Sequence, residues 1–260
     1  MSYETILTRT ADGIAEIRLN RPHRLNAVVQ QLYDELNDAL SRAERDDAAK
    51  VVLLTGEGRA FCVGADLKAH KEGRTSFDRR QYLRGEQIVC KRLLELKKPV
   101  VAAVNGYALG AGAELAIASD FIVMSASAQL GFPEIGLGNY LGGGVTFLLP
   151  KLVGLAKARE LVFLGERIDG KEAVRIGLAN RVFDDQGFLD HARRFALALA
   201  AKAPLSMELA KRHLVSAGES SFDSVLTAEL EGMMFCSTTK DWQEGIDAFA
   251  EKRVPRFTGA

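Results

Sequence analysis

The sequence predicts an α/β protein that closes with a small helical appendage. Three observations lead there. Continuous apolar runs at residues 50–56, 98–106 and 120–125 are separated by stretches of helical periodicity. Their apolar residues do not alternate with polar ones, which marks strands buried on both faces, as in a parallel sheet covered by helices. The last third carries helix-period stripes and no comparable run.

Along the chain, residues 5–10 and 14–20 alternate apolar and polar side chains around Asp12-Gly13, a hairpin signature. Leu32, Leu36, Leu40 and Ala43 recur at helical spacing, so residues 29–45 form an amphipathic helix. The three apolar runs follow. Phe188, Leu189, Ala192, Phe195, Ala196 and Leu199 make a helical stripe that Pro204 ends, and Phe222, Val225, Leu226, Leu230 and Met233 make another. Thr238-Thr239-Lys240-Asp241 resembles a capping box opening a last helix through Ala250. The late apolar faces are expected to dock on the core or on another subunit, and Trp242 and Phe249 on the last helix to be packing groups.

Of 260 residues, 47% are apolar and 26% charged, and 34 basic residues balance 34 acidic ones. A neutral chain lacks the positive excess that broad nucleic-acid or membrane binding requires. The longest uncharged stretch, residues 135–150, holds five glycines and falls short of a membrane helix. The N-terminus, with Glu4, Arg9 and Asp12, has no signal-peptide core. Cys62, Cys90 and Cys236 have no metal-ligand spacing and suggest a reducing compartment, so a cytoplasmic location is expected. No dinucleotide or P-loop fingerprint follows any strand run.

The most informative feature is a charge desert. Residues 99–150 carry three charged side chains, Glu114, Asp120 and Glu134, and nine glycines, with no Lys, Arg or His. At the chain average that stretch would hold about 13 charges. A buried carboxylate without a counter-charge should have a raised pKa, and two near each other could serve as acid and base. Each acid could equally cap a helix or bond backbone amides, and a spacing of twenty does not show that Glu114 and Glu134 meet. Asp120, ahead of a strand run, reads as structural. Residues 110–115 lead from a glycine loop toward a helix, and Gly64-Ala65-Asp66 follows a buried strand. Either could receive an anion or simply turn the chain.

At this point the residues resemble the crotonase (enoyl-CoA hydratase/isomerase) superfamily. The resemblance rests on Leu19-Asn20-Arg21-Pro22 with Leu25-Asn26-Ala27, and on Ala60-Phe61-Cys62-Val63-Gly64-Ala65-Asp66-Leu67. Residues 98–106, residues 110–120, Phe132-Pro133-Glu134-Ile135-Gly136-Leu137-Gly138, and Glu244-Gly245-Ile246 with residues 248–253 complete it, in the family's order. It implies a spiral of ββα units over residues 1–200, a C-terminal helical trimerisation region over 201–260, and a homotrimer or homohexamer. It implies an acyl-CoA ligand whose enolate is held by the backbone N–H groups of Ala65 and Ala111. Both hydratase glutamates are present, Glu114 to position water and take its proton and Glu134 to protonate C2, which favours hydration of a 2,3-double bond. Coenzyme A is then part of the substrate, and no metal or other cofactor is expected.

The resemblance also marks Arg24, Ala65, Asp66, Leu67, Lys68, Tyr140, Gly142, Phe249 and Lys252 as coenzyme A or substrate contacts, Lys252 from a neighbouring subunit. Residues 68–92 carry eight basic and three acidic side chains, most readily a solvated helix face. Two departures bear on the site. Ala111 stands where the family commonly has the middle glycine of three, and Leu141-Gly142-Gly143-Gly144-Val145 replaces a Pro-Gly-x-Gly-Gly loop. His23, His70, His191 and His213 read as surface residues, and Cys62 as a small buried hydrophobe. The rival readings are isomerisation, thioester hydrolysis or ring-acyl hydration on the same scaffold, and a non-catalytic or RNA-binding relative.

Overall fold

The computed structural model describes residues 3–68, 75–218 and 220–260; His70 lies outside them. The chain begins with a hairpin, β1 (Ile6–Ala11) and β2 (Ile14–Leu19), paired antiparallel from Ile6↔Leu19 to Ala11↔Ile14. Asp12 and Gly13 both have positive φ, 54° and 81°, the turn that matches strand twist. Helix α1 (Gln30–Arg45) buries Leu32, Leu36 and Leu40, and Val29 is its N-cap rather than its first turn.

Three ββα units follow. The first is β3 (Val51–Gly56), β4 (Ala60–Cys62) and α2 (Ser76–Glu95). The second is β5 (Val100–Val104), β6 (Tyr107–Leu109) and α3 (Ala111–Ile117). The third is β7 (Phe121–Ser125), β8 (Gln129–Gly131) and α4 (Val145–Leu164), a helix broken at Gly154 where φ is 76°. The first strand of each unit lies in a six-stranded sheet and the second in a four-stranded one, so each turn of the spiral adds one strand to both. The neighbours β3, β5 and β7 are parallel, with Leu53↔Val101 and Ala103↔Val123 in register. These are the three apolar runs of the sequence.

The lack of alternation has a direct cause. Val52 and Leu54 pack with α1 in the main core, while Val51 and Leu53 face the opposite way into a second core. That second core is closed by Phe188, Ala192, Ala196 and Ala200 of α6 (Phe188–Ala200). With both sheet faces covered, the four successive positions Val51, Val52, Leu53 and Leu54 are all apolar.

Between α4 and α6 lie β9 (Ile168–Asp169), α5 (Gly170–Arg175) and β10 (Arg181–Phe183). The sequence pattern misses both strands, because two or three residues are too few to show a period. After α6 come α7 (Pro204–Ala217), α8 (Phe222–Ser237) and α9 (Lys240–Glu251). The two late helices with strong apolar stripes fare differently. α6 docks on the sheet, whereas α8 buries no residue and leaves Leu226, Leu230 and Met233 exposed. Trp242 and Phe249 are likewise exposed, 52% and 88%, and are not packing groups within this chain. No helix among the described residues is long and apolar enough to cross a membrane.

One buried ion pair ties α7 to the spiral. The Lys211 ammonium donates to Asp120 Oδ2 at 2.7 Å and to the Leu93 and Lys98 carbonyls. The same Asp120 oxygen accepts the Val100 amide at 2.7 Å, so Asp120 has the structural role read from sequence. Burial pulls the two groups toward neutrality, Asp120 upward and Lys211 downward, and each partner's charge opposes that. Removing one member of such a pair leaves a buried charge alone. Lys211→Ala should therefore cost about 3–5 kcal/mol in urea unfolding, far more than loss of an exposed lysine.

Candidate active site

The site is assembled where the second and third units meet the end of β4. β6 passes into α3 through Gly110, whose φ of 54° and ψ of −126° no side chain tolerates well. Gly112 is a glycine for a different reason: a Cβ there would run into the Cys62 carbonyl, so its absence lets α3 press against β4. All seven residues of α3 are buried, Glu114 at 1% exposure. Its Oε1 accepts the Gly142 amide at 3.2 Å and its Oε2 accepts the Gly143 amide. Both carboxyl oxygens are thus acceptors of backbone hydrogen bonds. No side chain fits at Gly143, where a Cβ would strike the Glu114 carboxylate and sit 2.7 Å from Cys90 Sγ.

The turn after β4 faces the start of α3. Gly64 adopts φ 86°, and a Cβ built on it would lie 3.4 Å from the Ala111 nitrogen. The turn is held by Val28 N–H donating to the Gly64 carbonyl at 2.8 Å and Asp66 N–H donating to the Val28 carbonyl at 3.0 Å. The Asp66 side chain is buried beneath it, 3.2 Å from Arg21 and 4.0 Å from Arg24. Among the described residues, the amides of Ala65 and Ala111 donate to no carbonyl outside the regular ladders. Ala111 is not among the non-glycine residues with positive φ, so its methyl is accommodated without strain and the strained geometry belongs to Gly110.

Glu134 enters from the third unit, just after β8, opening the 3₁₀ turn Ile135–Leu137. It is 8% exposed; Oε1 lies against Gly110, and Oε2 has no hydrogen-bond partner. Burial pushes its carboxyl up to about 7, a shift moderated by its own backbone amide and reinforced by the Glu114 charge. The spacing of twenty thus does bring the two acids within electrostatic reach of one another, beside the paired amides.

A third carboxyl, absent from the sequence reading, joins them. Glu86 of α2 is 5% exposed, hydrogen-bonded to Glu114, and 2.7 Å from where a Cβ on Gly142 would stand. Burial first, then the Glu114 charge, push it up to about 9. The sequence did carry a signal. Tyr82, Glu86, Val89, Cys90 and Leu93 form one buried stripe on α2, and Glu86 is the charged member. The basic excess of residues 68–92 drew attention to the other face.

The remaining expected contacts are less concentrated. Arg24, Leu67 and Lys68 lie around the Ala65 turn, and Leu67 and Lys68 are exposed. The Asp66 carboxylate pairs with Arg21 and so braces the turn. Tyr140 is 69% exposed, two residues before the Gly142 amide that clamps Glu114. Phe249 and Lys252 stand apart on α9 and its C-cap; Phe249 lines a separate cavity of about 470 Å³ with Trp242, Ile246 and Phe257. Of the described histidines His23 is exposed, but His191 and His213 are half-buried, and His191 stacks on Phe183 at 5.1 Å. Among the described residues no three His, Cys, Asp or Glu groups are placed to hold a metal ion.

The clamp on Glu114 is open to a direct experiment. Gly143→Ala should displace the carboxylate, lowering kcat by about 10- to 100-fold in steady-state assays while far-UV circular dichroism stays native. Unchanged turnover would mean that the clamp does not position this acid.

A family model described as enoyl-CoA hydratase/isomerase matches residues 9–260. A crotonyl-CoA hydratase of Syntrophomonas wolfei is 34% identical over 258 residues, 99% of each chain. A 1,2-epoxyphenylacetyl-CoA isomerase of Escherichia coli is 36% identical over 261 residues, 98% of this chain and 99% of its own. The crystal structure of an enoyl-CoA hydratase from Bacillus anthracis superposes with a TM-score of 0.95 at 34% identity, covering 99% of this chain and all of the other. Paired glutamates, facing amides, the two-sheet spiral and full-length similarity agree: the chain belongs to the enoyl-CoA hydratase/isomerase family.

Proposed function

We propose that this chain, an enzyme of the enoyl-CoA hydratase type, adds water across the 2,3-double bond of an acyl-CoA thioester with Glu114 and Glu134 as its base and acid. One observation carries the assignment of roles. Of two neighbouring buried carboxyls, one is held as an acceptor by two backbone amides, and the other has a free oxygen and sits near 7. The first suits a general base and the second a general acid.

Water attacks C3 while Glu114 takes one of its protons. The C2–C3 π electrons move toward the thioester oxygen, where the Ala65 and Ala111 N–H groups stabilise the enolate; one such donor is worth about 10²–10³ in rate. The Glu134 carboxylic acid then delivers its proton to C2, and the thioester carbonyl re-forms. The acid–base pair and the backbone donors carry this chemistry, with coenzyme A as part of the substrate. Arg24 and Lys68 beside the Ala65 turn suit its phosphates, and Leu67, Tyr140 and Gly142 the acyl and pantetheine segments.

The enzyme works in this reading as a homotrimer or homohexamer in the cytoplasm, with Phe249 and Lys252 reaching the coenzyme A of a neighbouring subunit. The apolar face left open on α8 supports it, since a lone chain would expose Leu226, Leu230 and Met233 to water. Sedimentation should give three or six times the 28.3 kDa chain mass; a monomer would overturn the assembly.

Crotonyl-CoA should lose its conjugated-enoyl absorbance on addition of enzyme, and persistence of that band with short- and medium-chain enoyl thioesters would reject hydration. Glu114→Gln and Glu134→Gln should each lower kcat by about 10²–10⁴-fold with affinity for the hydrated product nearly intact. Because Glu134 must hold a proton to start hydration, kcat/KM should fall as pH rises through about 7.

A further inference from the structure

The pair of glutamates assigned to acid–base chemistry leaves Glu86 unexplained. It is a buried carboxyl on a helix whose other inward residues are Tyr82, Gly85, Val89, Cys90 and Leu93. The groups that face it come from four further elements: Glu114 on α3, Tyr33 on α1, Cys62 at the end of β4, and Glu134 after β8. Cys90 adjoins it on α2 itself. Not one of these is a cation. Among the described residues, the buried Tyr33 hydroxyl is the one neutral donor to Glu86 and by itself favours that carboxyl's charged form, while burial and then the Glu86 charge hold the phenol well above its usual pKa.

Two carboxylates in hydrogen-bond contact inside a protein, without a counter-ion, do not both ionise. The contacts decide which keeps the proton. Glu114 already accepts the Gly142 amide on one oxygen and the Gly143 amide on the other, which casts it as the acceptor of the two. Among the described residues no backbone amide donates to Glu86. We propose that Glu86 is a positioning residue for hydration: it remains a carboxylic acid whose O–H donates to Glu114, making a third donor that fixes the catalytic carboxylate against α3.

The inference rests on the hydratase reading for its kinetic consequences but not for its proton. Above about pH 9, where burial and the Glu114 charge place the loss of that proton, the hydrogen bond disappears and a second negative charge appears beside Glu114. Wild-type kcat/KM should then fall with slope one from about pH 7, as Glu134 ionises, and with slope two above about 9. Glu86→Gln keeps an N–H donor and cannot ionise, so its profile should hold slope one throughout. Glu86→Ala removes the donor and should lower kcat at pH 7 by about 10- to 100-fold, with a smaller change in KM. Glu86→Gln should recover most of that loss.

A second measurement separates this proposal from the reaction. In the folded chain Glu86 keeps its proton up to about pH 9, whereas unfolded it loses it near the ordinary glutamate value of about 4.3. Its contribution is therefore fully present below about pH 4 and declines as pH rises toward 9. The wild-type melting temperature should fall relative to that of Glu86→Gln across this window. A constant difference between the two would overturn the proposal, as would a Glu86→Gln profile that still steepens near pH 9, or wild-type kcat in Glu86→Ala. If Glu86→Ala fails to fold, the comparison of wild type with Glu86→Gln decides. If no enoyl thioester is hydrated by any of the three, the hydratase reading fails and the melting comparison still tests the proton.

Discussion

The site depends on backbone amides that hold one buried carboxyl in place. A buried anion ordinarily requires an arginine, a lysine or a metal. Here Glu114 has backbone amides instead, and the loop that supplies them must run close against it. That requirement explains Gly142 and Gly143, since a side chain at either would collide with a carboxyl group. In a stretch without Lys, Arg or His, the polypeptide itself provides the donors to Glu114.

The surrounding architecture serves the same end. The second strand of each unit delivers the chain to one region, three times in all: β4 ends at the Ala65 turn, β6 at α3, and β8 at Glu134. The small residues at 110–113 let those three ends converge. Behind them, the Arg21–Asp66 pair and the amides of Val28 and Asp66 hold the turn rigid. Positioning amides to a fraction of an ångström needs such a lattice, and in the proposed hydration their hold on an enolate depends on distance and direction.

Much of this was legible in the sequence, and the reasons differ by element. The parallel strands β3, β5 and β7 were readable because α6 covers the sheet face opposite α1, which makes runs of successive side chains apolar. Glu114 and Glu134 stood out because a lone acid in an uncharged stretch is conspicuous. Glu86 did not, because it sits in a basic segment where one more charge looks ordinary. Only its place on a stripe with Tyr82, Val89 and Cys90 sets it apart. β9 and β10 are too short to leave a pattern. Trp242 and Phe249 looked like core because hydrophobicity does not say which surface buries a residue. The roles of Phe249 and Lys252 came from resemblance alone, since no intrachain contact joins them to the glutamates.

The carboxylate of Asp120 touches two parts of the molecule at once. One of its oxygens receives the Val100 amide at the foot of β5 and the Lys211 ammonium from α7. β5 continues through β6 into α3 and so to Glu114. A load on α7 thus reaches the foot of β5 through this buried pair, beside the Lys211 contacts to the Leu93 and Lys98 carbonyls. Loss of the pair would therefore loosen α7 from the root of the strand that leads through β6 into the helix bearing Glu114.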